Sequence, residues 1–309
     1  MIPCDKCRDR AVIYQRYSGK HLCARHFEED VHRKVKQVLR RYRIFGGPSK
    51  IAVAVSGGKD SISLLYILKS LFSYRKDLEL VAVAIDEGIA GYRSDTIDAA
   101  KIVAERLEVD IEIRSFDETF GITTDYAASM GMEQGPCTFC GVLRKNLLNR
   151  TARELGADAL ATGHNLDDES QTVLLNYLRG DLDRLYRLRP RKALEGMVPR
   201  IKPLRRVLER EVALYAVTHD LPLGTAACPH ISGAIRREVK DMLNDFEYKH
   251  PGTKYSIMSG FDRILESRPP GTFRTVPCIR CGEPCGDGLC QSCRLLEKIR
   301  AKSLRRRHG

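Results

Sequence analysis

No stretch of this sequence is apolar for long enough to cross a bilayer. The longest runs, IAVAV and LVAVAI, fall far short of the roughly 20 residues a spanning helix needs. No signal peptide is visible, so the cytosol is the expected compartment and no membrane partner is expected. Tryptophan is absent and aromatics make up only 7% of the 309 residues, yet hydrophobic residues reach 43%. That share supports a real core and excludes wholesale disorder. Neither internal repeats nor long low-complexity segments occur. Acidic residues are in the minority, with 52 Lys and Arg against 40 Asp and Glu, a formal charge of +12. Such an excess favours a polyanionic partner, nucleic acid above all, because basic side chains release counterions from phosphates.

Eleven cysteines are present. In a reducing compartment they point to metal or catalysis rather than disulfides. Cys4-x2-Cys7-x15-Cys23-x2-His26 and Cys278-x2-Cys281-x8-Cys290-x2-Cys293 both have tetrahedral zinc spacing, so two Zn²⁺ are expected. Both sites are closed, which makes them structural. Cys285 is left over, either a replacement ligand or a separate thiol. Only Cys137, Cys140 and Cys228 lie between these groups. The pattern predicts a central domain, residues 31–270, flanked by a zinc finger at 1–30 and a zinc ribbon with a basic tail at 271–309.

In the centre, apolar strands IAVAV, LELVAVAID, DIEIRSF and DALATGH alternate with amphipathic helices, and MVPRIKPL adds a fifth strand. This alternation predicts an α/β fold with a doubly wound parallel sheet. A helix over about 27–44 carries Arg33, Lys34, Lys36, Arg40, Arg41 and Arg43. Gly135, Pro136 and Cys137 are read as a loop before the helix VLRKNLLNRTARELG.

The stretch AVSGGKDSIS, Ala54 to Ser63, stands where α/β sheets bind ligands, between strand and helix. It lacks the Walker pattern G-x-x-x-x-G-K-S/T: Val53 replaces the first glycine and Asp60 the hydroxyl residue. Gly57 and Gly58 allow a tight turn that aims N–H groups at phosphate. Lys59 adds a charge, Ser56 and Ser61 add hydroxyls, and the helix N-terminus adds its dipole. Asp60 fits beside phosphates if it meets Mg²⁺ or an acidic proton. The hexapeptide SGGKDS after a β-branched strand resembles the PP-loop ATP pyrophosphatases, which implies ATP cleaved between its α and β phosphates.

Three thiolates are one short of a closed zinc site and suit an iron–sulfur cluster with one open iron. SGGKDS, PCTFCGVLR, TGHNLDDESQT and ACPH occur in the order seen in the tRNA 2-thiouridine synthetases of the TtuA and NcsA group, which the chain resembles over nearly its whole length. The resemblance implies a [4Fe–4S] cluster on Cys137, Cys140 and Cys228. It implies ATP binding and catalysis by Arg144, a role for Asp168, and an ATP pocket including Ala54, Gly163 and Ile85, the last against adenine. Asp168 could hold Mg²⁺ or transfer a proton. The expected reaction adenylates the C2 oxygen of a tRNA uridine and replaces it with sulfur. Arg at position 144, where T-loop enzymes carry Lys, favours the wobble uridine over the T-loop one. The resemblance also implies a homodimer and a donor such as a ubiquitin-like sulfur carrier or free sulfide. Two rivals are a PP-loop ligase that adds nitrogen, which needs no cysteine triad, and a non-catalytic zinc-ribbon RNA-binding protein, which needs no ATP loop.

Overall fold

The structure is a computed structural model, and it describes residues 2–42, 49–188, 196–230, 234–267 and 275–307. The chain opens with a hairpin, β1 (Ile13–Gln15) and β2 (Lys20–Leu22), followed by α1 (Ala24–Arg40). Then come β3 (Ser49–Ala54), α2 (Lys59–Phe72), β4 (Leu78–Asp86), α3 (Arg93–Arg106) and β5 (Asp110–Ser115). Two short helices, α4 (Phe116–Phe120) and α5 (Thr124–Ser129), lead to the long α6 (Gly135–Glu154). Next follow β6 (Ala159–Ala161), α7 (Leu166–Leu178), α8 (Leu182–Arg187), β7 (Arg200–Ile201) and α9 (Glu209–Thr218). The chain continues through α10 (Ala234–Lys249), α11 (Thr253–Glu266), a second hairpin β8 (Val276–Pro277) and β9 (Pro284–Cys285), and α12 (Gln291–Arg307).

The central sheet has the order β5-β4-β3-β6-β7, and all its pairings are parallel. This is the expected α/β architecture. Residues of α1, α2, α3 and α9 share one core with Ile51 and Val53. On the opposite face α6 and α12 pack with Ala52, Val83 and Leu160. The crossover helices therefore change face between β5 and β6. A crevice opens past the carboxyl ends of the paired strands β3 and β6.

Several local expectations change. Helix α6 begins at Gly135, with Pro136 in its first turn, so the C-x-x-C lies on a helix and not in a loop. Proline is compatible with that position because the first N–H groups of a helix have no partner to lose. The expected basic tail is helix α12, with Leu295, Leu296 and Ile299 buried against α6. Arg300, Lys302 and Arg306 donate to the carbonyls of Phe120, Gly131 and Ser129, so part of its charge also caps backbone at the surface. Helix α1 crosses residue 30 and buries Phe27, Val31, Val35 and Leu39, one stripe at four-residue spacing, in the main core. Arg43 lies outside the described residues. Among the described residues, no helix is long and apolar enough to cross a membrane.

Lys34, counted above among the basic residues of this helix, is buried. Its Nζ lies 2.8 Å from Glu211 and 3.0 Å from Asp30. Gln15 donates to both carboxylates at 2.9 Å, and Tyr17 donates to Glu211 at 2.7 Å. Burial alone would lower the Lys34 pKa, but Glu211 and Asp30 overcome it and the direction is up. These contacts fix the first hairpin and α1 onto α9. Removing one partner of a buried ion pair strands the other, at about 3–5 kcal/mol. Lys34→Ala should therefore lower unfolding stability by about that amount in urea titration, whereas a shift near zero would mean that Lys34 is a surface cation.

Candidate functional site

The loop after β3 turns at Gly57, whose φ of +82° is strained for any L side chain. A Cβ at Gly57 would stand 1.9 Å from the Thr96 carbonyl oxygen. Ser61 closes the turn: its hydroxyl donates to the Gly58 carbonyl at 3.0 Å and accepts the Ser56 N–H at 3.0 Å. The Ser61 donor is thus already engaged within the loop. Helix α2 starts at Lys59, so its unpartnered N–H groups and positive dipole end sit at the crevice. Lys59 Nζ lies 2.9 Å from Asp60 and 3.1 Å from Glu209, which also holds Lys240 at 2.9 Å. Burial works against the Lys59 cation, yet Asp60 and Glu209 keep its pKa raised.

The loop after β6 closes the other side. A Cβ on Gly163 would meet the Ser61 backbone nitrogen at 2.9 Å, so the two loops pack backbone to backbone. Asn165 caps α7 in a reciprocal box with Asp168, at 3.0 and 3.2 Å, and donates to Asp60 at 2.9 Å. Asp168 has its pKa raised by burial, with the nearby charge of Asp60 adding to it. Its neighbours serve the fold. Asp167 accepts the Glu209 N–H at 2.7 Å and pairs with buried Lys254, while Glu169 pairs with Lys202 at 2.6 Å.

Between the loops lies a cavity of about 300 Å³. Its walls include Ser56, Asp60, Ile85, Arg144, Gly163 and Asp168, together with Ala54 and Ser61. Gly57, Gly58 and Lys59 are not among the lining residues, and Lys59 turns towards Glu209. His164 also faces the cavity. Desolvation, with the charges of Lys202, Lys145, Arg144 and Arg236 adding to it, lowers its pKa.

Cys137, Cys140, Arg144 and Leu148 are spaced i, i+3, i+7 and i+11 along α6, on one face. That face runs from the cysteines to the cavity, which both Arg144 and Leu148 line. Cys228 arrives on a segment tethered at several points. The Gly224 N–H donates to the Gly57 carbonyl at 3.0 Å, and the N–H groups of Thr225 and Ala226 donate to Asp95 at 2.8 and 3.1 Å. His230 sits 2.5 Å from Asp125, and its carbonyl accepts the Cys137 thiol at 2.9 Å. Cys140 lies within electrostatic reach of Cys228 and Arg144, and burial pushes its thiol up to about 11.

Cys4, Cys7, Cys23 and His26 form one tight quartet, and Cys278, Cys281, Cys290 and Cys293 form another. Ligand atoms approach to 3.3 Å for Cys4–His26 and 3.6 Å for Cys281–Cys290. A tetrahedron with zinc–sulfur bonds of about 2.3 Å has edges of roughly 3.7 Å, so the donor sets fit single zinc ions. Cys285 stays out of the second quartet and donates to the Val276 carbonyl at 3.4 Å. Among the described residues, no other trio of such ligands gathers within 4.8 Å, so the Cys137, Cys140 and Cys228 sulfurs are wider apart. A cube of four irons holds its thiolates at separate corners and accommodates that wider spread. Among the described residues, which include all eleven cysteines, no disulfide forms.

Sequence reasoning missed Glu87, Arg93, Asn165 and Glu209. Glu87 directly follows β4 at the carboxyl edge of the sheet, and that position was the available signal. Glycine at 57 makes a sharp expectation: Gly57→Ala should lower the melting temperature and abolish nucleotide binding by calorimetry, because the Thr96 carbonyl it would strike is backbone. Wild-type values for both would show that the loop can relax.

Residues 27–224 match the PP-loop domain family, and residues 4–28 match the N-terminal LIM domain of 2-thiouridine synthetase TtuA. The tRNA 2-thiolation protein NcsA of Haloferax volcanii is 40% identical over 318 residues, spanning 96% of this chain and 99% of that protein. Cytoplasmic tRNA 2-thiolation protein 1 of Xenopus laevis is 34% identical over 305 residues, 96% of this chain and 88% of its own. The solved U34-tRNA thiolase NcsA from Methanococcus maripaludis, with its [4Fe–4S] cluster, superposes with a TM-score of 0.87 at 35% identity, covering 96% of each chain. Agreement at this level over the full fold shows the family: this chain belongs to the NcsA/TtuA-type tRNA 2-thiolation proteins, built on a PP-loop domain.

Proposed function

We propose that the protein is a tRNA uridine 2-sulfurtransferase that converts ATP to AMP and pyrophosphate, with the wobble uridine as its target. The observation that carries this reading is the single face of α6 that joins Cys137 and Cys140 through Arg144 to the cavity behind the SGGKDS loop. Relatives named for tRNA 2-thiolation support the substrate class, and the charge of +12 suits a polyanion. The uridine C2 oxygen attacks the α-phosphorus, and pyrophosphate leaves. A sulfur nucleophile then adds at C2, and AMP departs with the former uridine oxygen.

The chain's own residues divide this work. The Gly57–Gly58 backbone and the N-terminus of α2 receive the leaving pyrophosphate, and Lys59 exchanges its carboxylates for phosphate oxygens. Ser56 and Gly163 bound the phosphate side of the cavity, and Ile85 offers an apolar wall to adenine. Arg144 offsets charge at the α-phosphate. Asp60 and Asp168 suit Mg²⁺: a divalent cation would relieve the repulsion and burial that raise the Asp168 pKa. Cys137, Cys140 and Cys228 would hold a [4Fe–4S] cluster, which when bound supplies one iron lacking a protein thiolate where sulfide can rest. The donor would be a ubiquitin-like carrier or free sulfide, the assembly a homodimer and the compartment the cytoplasm. The modules at 1–30 and 271–309 would each hold one structural zinc beside the catalytic domain at 31–270.

The decisive test supplies rigorously iron-free protein with ATP, tRNA and sulfide, and scores thiolated uridine by mass spectrometry. No product before anaerobic reconstitution and product after it are expected; full activity without iron would rule out the cluster. In the same assay Lys59→Ala should slow pyrophosphate release about ten- to hundred-fold, since a charged hydrogen bond is worth roughly 1.5–3 kcal/mol. For the end modules, Cys4→Ser and Cys290→Ser should each remove one of two zinc equivalents by elemental analysis and leave iron in place. Unchanged zinc in either variant would overturn its ligand set.

A further inference from the structure

Arg144 is long and half exposed, its side chain 47% accessible. An untethered arginine of this kind samples many rotamers, and fixing it opposes about 2 kcal/mol of side-chain entropy. Its NH1 donates to Glu87 Oε1 at 3.2 Å. Glu87 is nearly inaccessible, with 3% of its side chain exposed. The second oxygen of Glu87 lies 2.6 Å from Arg93 Nε, an ion pair without hydrogen-bond alignment. Arg93 is itself buried and anchored to the sheet: it donates to the Ser56 carbonyl and to Thr96 Oγ1, both at 3.0 Å, and to the Ile85 carbonyl. The Glu87 carbonyl accepts the Thr124 N–H at 2.8 Å, which fixes its backbone as well.

One cation would suffice to neutralise a buried carboxylate. Glu87 has two, one locked into the ends of β3 and β4 and the other reaching into the cavity. We propose that Glu87, fixed by Arg93, is a positioning residue that tethers the Arg144 guanidinium at the junction between the nucleotide cavity and the cysteine face of α6. The tether takes one donor of Arg144 and leaves the rest of its planar fork for an anionic group in the cavity. Because Arg93 also holds the Ser56 carbonyl, the same chain of contacts sets Arg144 relative to the phosphate loop. The catalytic consequence rests on the reading of Arg144 given above, while the tether itself does not.

Two measurements separate these. In the chain without ATP or tRNA, phenylglyoxal modification of Arg144, followed by peptide mass spectrometry, should be several-fold faster in Glu87→Gln than in wild type. Equal rates overturn the tether, whether or not the protein thiolates tRNA. In the reconstituted enzyme, Glu87→Gln should lower kcat about tenfold or more, in line with one charged hydrogen bond. The KM for ATP and the iron and zinc contents should stay near wild type. The loss should match that of Arg144→Ala, and Glu87→Gln/Arg144→Ala should fall no further than Arg144→Ala alone. Additive losses would mark Glu87 as merely structural and overturn the proposal. Should Glu87→Gln not fold, Glu87→Asp keeps a charge beside Arg93 but shortens the reach to Arg144. It should show the same two effects, and wild-type behaviour in both would overturn the proposal. Wild-type turnover in Arg144→Ala would instead overturn the role of Arg144, with the modification rates still deciding the tether.

Discussion

Strand β3 has neighbours whose connections leave the sheet on opposite faces, and the site follows from that divergence. Helices α2 and α3 cover one face and α6 the other, so the space past the ends of β3 and β6 cannot be filled by a crossover helix. Each functional segment reaches this gap by a separate route. The SGGKDS turn leaves β3, the Gly163–Asp168 turn leaves β6, Glu87 leaves β4, and α6 points its cysteine-bearing face into the same region. Helix α9 adds Glu209 from outside the sheet, held by Asp167.

Much of this was legible because it is local. A β-branched strand, two glycines and a helix in direct succession reveal the turn at the crevice within ten residues, and cysteine spacing reveals both terminal Cys/His quartets. The α6 error had a definable origin. Gly135-Pro136 reads as loop punctuation, although proline in the first turn of a helix loses nothing. Extending that helix by two turns would have placed Cys137, Cys140 and Arg144 on one face from sequence alone. What could not be read was non-local. Glu87 meets Arg144 across 57 positions, and Lys34 meets Glu211 across 177, with no periodicity to announce either pair. Helices α10 and α11 were missed too. Met258, Phe261 and Leu265 of α11 join Leu166 and Val173 of α7 in a small separate core.

Charge in this chain has two separate jobs. Some cations are consumed inside the fold: Lys34 docks the amino-terminal module, Lys254 steadies Asp167, and Arg93 secures the strand ends. Others on α12, such as Lys302 and Arg306, cap the carbonyls of Gly131 and Ser129. The formal excess of +12 survives these internal pairs, because each buried cation is matched by a carboxylate.

Thr96 is wedged between two glycines. A Cβ on Gly57 would strike its carbonyl, and a Cβ on Gly224 would come within 2.9 Å of its Cα. Such close packing confines the turn, so a phosphate group entering the crevice would meet a seat already shaped by folding. The ordering entropy is settled before the ligand arrives, which favours affinity without induced motion. Rigidity also passes sideways. The same wedge fixes Gly224 and, four residues later, Cys228, so a slight shift of α3 would displace the phosphate seat and the third cysteine together.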